Sequence, residues 1–144
     1  MNPKIWHAII LGGIVIGIIG CFLPWGKLNP SLYYPWQDVR VGTLILSGIY
    51  TFASLMFAAI FQMVFIAKKK LYMVFPVLAT ALVALFILET WIGEPVACEY
   101  SSGGSYTVLY GAYVTLVGIV VVSATAFLYL AIAAEKQLNL GKSE

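Results

Sequence analysis

Charge is scarce in this chain. Of its 144 residues only 10% are Asp, Glu, Lys or Arg, against about 25% in ordinary soluble domains. Histidine occurs once, as His7, and cysteine twice, as Cys21 and Cys98. A single histidine excludes a bis-histidine haem, and the two widely separated cysteines supply neither a CxxC redox pair nor a closely spaced zinc-ligand set. No glycine-rich phosphate loop is present. The six acidic residues, Asp38, Glu89, Glu94, Glu99, Glu135 and Glu144, all avoid the centres of the apolar segments. Paired carboxylates for acid–base chemistry are therefore missing at mid-membrane depth. The formal net charge of +2 is too small to indicate a nucleic-acid partner. These absences lead to the expectation of a non-enzymatic protein without metal or cofactor.

What the chain has instead is hydrophobic residues, 62% of the total, gathered into four runs: Ile5–Leu23, Thr43–Ala67, Leu71–Trp91 and Tyr110–Ala134. Each is close to or longer than the ~20 residues that cross a bilayer core as a helix. The expected fold is all-α, an integral membrane four-helix (tetraspan) bundle. It forms a single four-span domain over residues 1–144. Lys4, the first run and Ile18-Ile19-Gly20-Cys21 imitate a lipoprotein signal. The residues that follow, Phe22-Leu23-Pro24-Trp25, are apolar rather than a polar tether, so Ile5–Leu23 reads as a retained signal-anchor helix.

Basic residues set orientation. Lys4, the Lys68-Lys69-Lys70 turn, Lys136 and Lys142 fall on one side of a four-span topology, and only Lys27 and Arg40 on the other. Both termini are therefore expected in the cytoplasm, with two short outer loops opposite, in a plasma or cytoplasmic membrane.

Those outer loops, Pro24–Val41 and Ile92–Leu109, are rich in aromatic residues. An interfacial aromatic belt accounts for part of this, but a belt alone would load both faces more evenly. Tyr33, Tyr34, Trp36, Tyr100 and Tyr106 are accordingly the expected partner-binding anchors, because interfaces favour large aromatic side chains. Pro24, Pro30 and Pro35 give the first loop extended and turn segments. Ser101-Ser102-Gly103-Gly104-Ser105 gives the second a flexible turn. Cys21 and Cys98 both lie on the outer side, which allows a disulfide between them.

Within lipid, helices associate through small residues and hydrogen bonds. The expected packing positions are Gly13, Gly17 and Gly20 in span one, Ser47, Thr51 and Ser54 in span two, and Gly111, Thr115 and Gly118 in span four. Gln62 reads as an inter-helix hydrogen bonder and His7 as an interfacial polar residue. Pro76, one turn into span three, is expected to bend that helix near its cytoplasmic end.

The span count, cytoplasmic termini and aromatic first outer loop resemble claudin-type tetraspans in architecture. Trp25 and Trp36 are present, but that family's loop cysteine pair is not, so no residue role is carried over. A four-helix multidrug exporter would need an acidic residue in span one, and none is there. The functional expectation is a non-catalytic accessory or scaffold subunit of a larger membrane assembly. Its partners would be lipid and other membrane subunits, as a homo- or hetero-oligomer. The alternative is a small channel or transporter that uses the polar face of span two (Ser47, Thr51, Ser54, Gln62), with Glu89, Glu94 and Glu99 at its mouth.

Overall fold

A segment can cross lipid only if its backbone satisfies its own hydrogen bonds, and each apolar run does so as a helix. The computed structural model describes residues 3–28, 31–33, 44–68, 71–102 and 106–140, with side chains over 4–26, 49–68, 71–89 and 108–136. Its helices are α1 (Pro3–Cys21), α2 (Leu44–Lys68), α3 (Val74–Ser102) and α4 (Tyr110–Leu140). Three short strands stand at one end: β1 (Gly26–Leu28), β2 (Ser31–Tyr33) and β3 (Tyr106–Val108). Four helical stretches are long and apolar enough to cross a membrane: Lys4–Cys21, Ile49–Lys68, Leu71–Glu89 (a 3-10 turn leading into α3) and Tyr110–Lys136. The protein is a multi-pass, all-α four-helix bundle.

Successive helices run antiparallel, and α1 closes the bundle against α4. The α1–α4 seam is the most extensive helix contact, and the α1–α2 contact is the slightest of the four adjacent pairs. Buried apolar side chains form two layers. The inner layer, toward the termini, includes Ile10, Ile14, Ala58, Phe65, Val77 and Val122. The outer layer includes Cys21, Trp25, Leu55, Leu88 and Ile119. Large apolar side chains such as Phe57, Phe86 and Phe127 stand exposed on the bundle perimeter. That inversion of the soluble pattern is stable where the surroundings are apolar, as in a bilayer.

Three departures from the sequence reading have physical causes. First, α3 runs 29 residues, to Ser102, so Ser101-Ser102 belongs to a helix and only residues 103–105, outside the described set, remain of the expected flexible turn. Hydropathy marks where lipid ends, not where the helix ends. Pro95 leaves the Trp91 carbonyl without its helical donor, a loss that water can make good past the end of an apolar run but hydrocarbon cannot. Second, α4 continues past Ala134 to Leu140, for the same reason. Third, Pro76 does not interrupt a helix. Residues Leu71–Met73 form a 3-10 turn and α3 starts at Val74. Proline in a first turn gives up an N–H that has no intrahelical acceptor anyway. Thr80 Oγ1 donates to the carbonyls of Pro76, at 2.8 Å, and Val77, at 3.0 Å.

Candidate functional site

The end of the bundle opposite the termini, the expected outer end, is where the two loops come together. After Cys21 the chain leaves α1 through a tight turn, in which the Phe22 and Leu23 amides donate to the Ile19 and Gly20 carbonyls. Pro24 fixes an extended exit. Trp25 then folds back onto the helix it has just left. Its indole Nε1 donates to the Gly20 carbonyl at 3.0 Å, and the side chain is fully buried. A tryptophan with its only polar atom satisfied can be buried whole. Trp25 is therefore a structural plug in the outer core rather than a member of an exposed belt.

That plug places β1. The strand is the centre of a three-stranded antiparallel sheet in the order β2-β1-β3. Gly26 pairs with Tyr33 on one side and Val108 on the other, and Leu28 pairs with Ser31 and Tyr106. The Leu109 amide donates to the Trp25 carbonyl at 2.8 Å, and the Gly111 amide to the Pro24 carbonyl at 3.2 Å. The first outer loop supplies a hairpin, the second supplies the third strand, and both are fastened to the mouth of α4. Of the expected partner anchors, Tyr33 ends β2, Tyr106 opens β3 and Tyr100 lies in the final turns of α3. Tyr34 and Trp36 lie outside the described residues. Tyr33 and Tyr106 stand on the two edge strands, at opposite ends of β1. Sequence reasoning missed this sheet because each strand is three residues long, too short to show alternation.

Beneath the sheet, α1 and α4 approach almost backbone to backbone. A Cβ on Gly118 would lie 2.6 Å from both the Gly17 Cα and the Gly13 carbonyl oxygen. One on Gly20 would lie 2.9 Å from the Thr115 Cα, and one on Gly111 would lie 2.6 Å from the Pro24 carbonyl oxygen. A Cβ on Gly13 would lie 2.9 Å from the Val122 side chain and 3.0 Å from both the Val121 side chain and the Gly118 carbonyl oxygen, whereas one on Gly17 would lie nearest the Leu55 side chain, at 3.1 Å. Thr115 Oγ1 donates to the Gly111 carbonyl at 2.9 Å, the usual way for a threonine to be buried inside a membrane helix. Cys21 is a free, buried cysteine that hydrogen-bonds the Thr115 side chain. Among the described residues it takes part in no disulfide, and the Cys98 side chain lies outside them.

In α2, Thr51 is fully buried and Ser54 half-buried, while the Ser47 side chain lies outside the described residues. Gln62 is fully buried near the terminal end of the bundle, and its Nε2 donates to His7 Nδ1 at 2.9 Å. The His7 ring sits edge-on to Phe65, with centroids 4.8 Å apart. Tyr129 closes the cluster against both Phe65 and Trp6. Between Thr51 and Gln62 the same helix presents Leu55 and Ala58, both fully buried in the apolar core. Glu89 is exposed at the end of the apolar stretch of α3, well before that helix ends, and the side chains of Glu94 and Glu99 lie outside the described residues. Among the described residues no three His, Cys, Asp or Glu side chains group as metal ligands.

The fold defines a class, the multi-pass four-helix membrane protein with a small sheet over its outer end. Compared with known families, curated proteins and solved structures, the chain matches none.

Proposed function

We propose that this protein is a non-catalytic accessory or scaffold subunit that docks other membrane proteins through its outer aromatic loops and helix surfaces. The observation that carries the reading is the outer sheet. Both loops meet in one hydrogen-bonded unit anchored on a buried tryptophan, and two of the five aromatic anchors, Tyr33 and Tyr106, stand on its edge strands. A pre-ordered platform loses little entropy on binding, and aromatic anchors supply large contact area with few rotatable bonds. The exposed apolar perimeter suits both lipid and neighbouring subunits.

A conduction pathway along α2 has less support. Its polar positions do not form a continuous file, because Leu55 and Ala58 are packed between Thr51 and Gln62.

Replacing Tyr34 and Trp36 by alanine should reduce the particle extracted from native membranes to the mass of the free chain, with helix content unchanged. A purified monomer that conducts ions or exchanges a solute in liposomes, and loses that activity with Glu89→Gln, would overturn the proposal.

A further inference from the structure

Two tight helix pairs, α1 with α4 and α2 with α3, make up the bundle, and they meet more lightly along α1–α2 and α3–α4. The α1–α2 seam is the slightest of the four. At its outer end the backbone fastens it, because β1 follows α1, β2 precedes α2 and the two strands pair. At the end toward the termini side chains do the fastening. Gln62 on α2 donates from Nε2 to His7 Nδ1 on α1, at 2.9 Å.

Gln62 is fully buried, yet its Oε1 has no hydrogen-bond partner among the described residues. A buried carbonyl left unused costs stability, and a side chain that only bridged two helices would not need one. The His7 ring is held edge-on to Phe65, with centroids 4.8 Å apart, and tilted against Tyr129 at 6.2 Å. Adjustment within the pair therefore falls to the amide, whose terminal torsion is broad and roughly two-fold. Turning Gln62 over brings Oε1 to face Nδ1 and puts Nε2 where Oε1 stood, a place at which no bond is lost. Neutral imidazole offers one donor and one acceptor, whereas imidazolium offers two donors. The present orientation suits the first, and the inverted one suits the second with a charge-assisted bond. Tyr129 on α4 is the titratable group in ring contact with His7. Lys4 stands one turn before His7 on α1, and Lys68 one turn after Phe65 on α2. Glu135 and Lys136 follow Tyr129 by nearly two turns on α4, and Tyr72 lies in the 3-10 turn before α3. Those five side chains are exposed.

We infer that His7 and Gln62 form a proton-sensitive latch on the α1–α2 seam, in which the Gln62 amide donates to neutral His7 and, turned over, accepts from protonated His7. The proton comes from water at the membrane surface, since His7 is half-buried and only three residues inside its span. It adds to the Nδ1 lone pair that had accepted the Gln62 N–H, so the old bond must break. Oε1 then takes the new Nδ1–H. The seam stays closed in both charge states, and the amide orientation records which state is present. Histidine is the side chain suited to this, because its charge ordinarily changes between about pH 5 and 8.

The test uses the full chain, labelled with heavy nitrogen, in neutral-detergent micelles. At about pH 8 a scalar coupling across the hydrogen bond should link Gln62 Nε2 to His7 Nδ1, and by about pH 5 it should vanish. A His7 Nδ1–H signal that exchanges slowly with water should replace it. Gln62→Leu offers imidazolium no acceptor. Its folded-to-unfolded ratio, read by titration with a denaturing detergent, should stay near the parent's at about pH 8 and fall about tenfold below it by about pH 5. The sign follows from proton binding: without the acceptor the fold disfavours imidazolium more than the unfolded chain does, so acid favours unfolding. With His7→Phe also present, Gln62→Leu should have the same effect at both ends of that range. The inference is overturned if the coupling is absent at the upper end or survives at the lower one. It is equally overturned if Gln62→Leu tracks the parent throughout, or if its acid sensitivity persists with His7→Phe. The stability of Gln62→Leu at the upper end shows that the variant folds.

Discussion

Gly118→Ala should be among the most damaging single-methyl additions in this protein, and the reason is geometric. The new Cβ would be placed 2.6 Å from the Gly17 Cα and from the Gly13 carbonyl oxygen. Carbon atoms prefer about 3.5–4.0 Å, so α1 and α4 must separate by roughly 1 Å. Both obstacles are backbone, with no side-chain rotamer to give way. Overpacking in a close-packed core costs about 1–3 kcal/mol, and a clash that only helix displacement can relieve belongs at the top of that range. Alanine is a better helix former than glycine by about 1 kcal/mol, which leaves a net loss near 2 kcal/mol. Gly12→Ala is the matched control, because its Cβ meets nothing within 4 Å and only the propensity gain of about 1 kcal/mol remains. Gly17→Ala falls between them, since the Leu55 side chain at 3.1 Å can shift. Reversible unfolding in mixed micelles by a denaturing detergent measures all three. Gly118→Ala as stable as the parent, or Gly12→Ala destabilised equally, would refute the seam argument.

Trp25→Phe removes the indole donor to Gly20 and part of a fully buried ring. Since the Gly20 carbonyl keeps its bond from the Leu23 amide, the cost should be about 1–2 kcal/mol, read as faster hydrogen exchange at the Leu109 amide. Gln62→Leu should change stability by less than about 1 kcal/mol. The lost inter-helix bond averages roughly 0.6 kcal/mol in membranes, and the Oε1, which has no hydrogen-bond partner among the described residues, disappears with it; a loss well above 2 kcal/mol in the same micelle titration would show that the His7 pair is a larger determinant of packing. For orientation, single cysteines introduced at positions 69 and 103 should react differently with an impermeant reagent on intact cells. Position 103 should be labelled and position 69 should not, and the reverse result would invert the topology.

The sequence by itself determined the architecture, because lipid makes one demand that composition reveals directly. Every spanning segment must be apolar and about 20 residues long, so four runs become four helices wherever their side chains finally pack. Lysine counts gave the expected orientation on equally local grounds. The pairing of elements was different. Small residues at helical spacing mark surfaces capable of close approach but do not name the partner. Only the assembled bundle decides that Gly118 lies against Gly17, that Gly20 lies against Thr115, and that α1 closes on α4 more tightly than on α2. Trp25 reads as an interfacial aromatic in the sequence and becomes a buried plug because the carbonyl of Gly20 is there to accept its proton. The outer sheet was equally invisible. Its strands come from loops separated by two helices, and three residues carry too little pattern to announce a strand. Short segments of that kind take their structure from non-local hydrogen bonds, which exist only once the helices have brought the loops together.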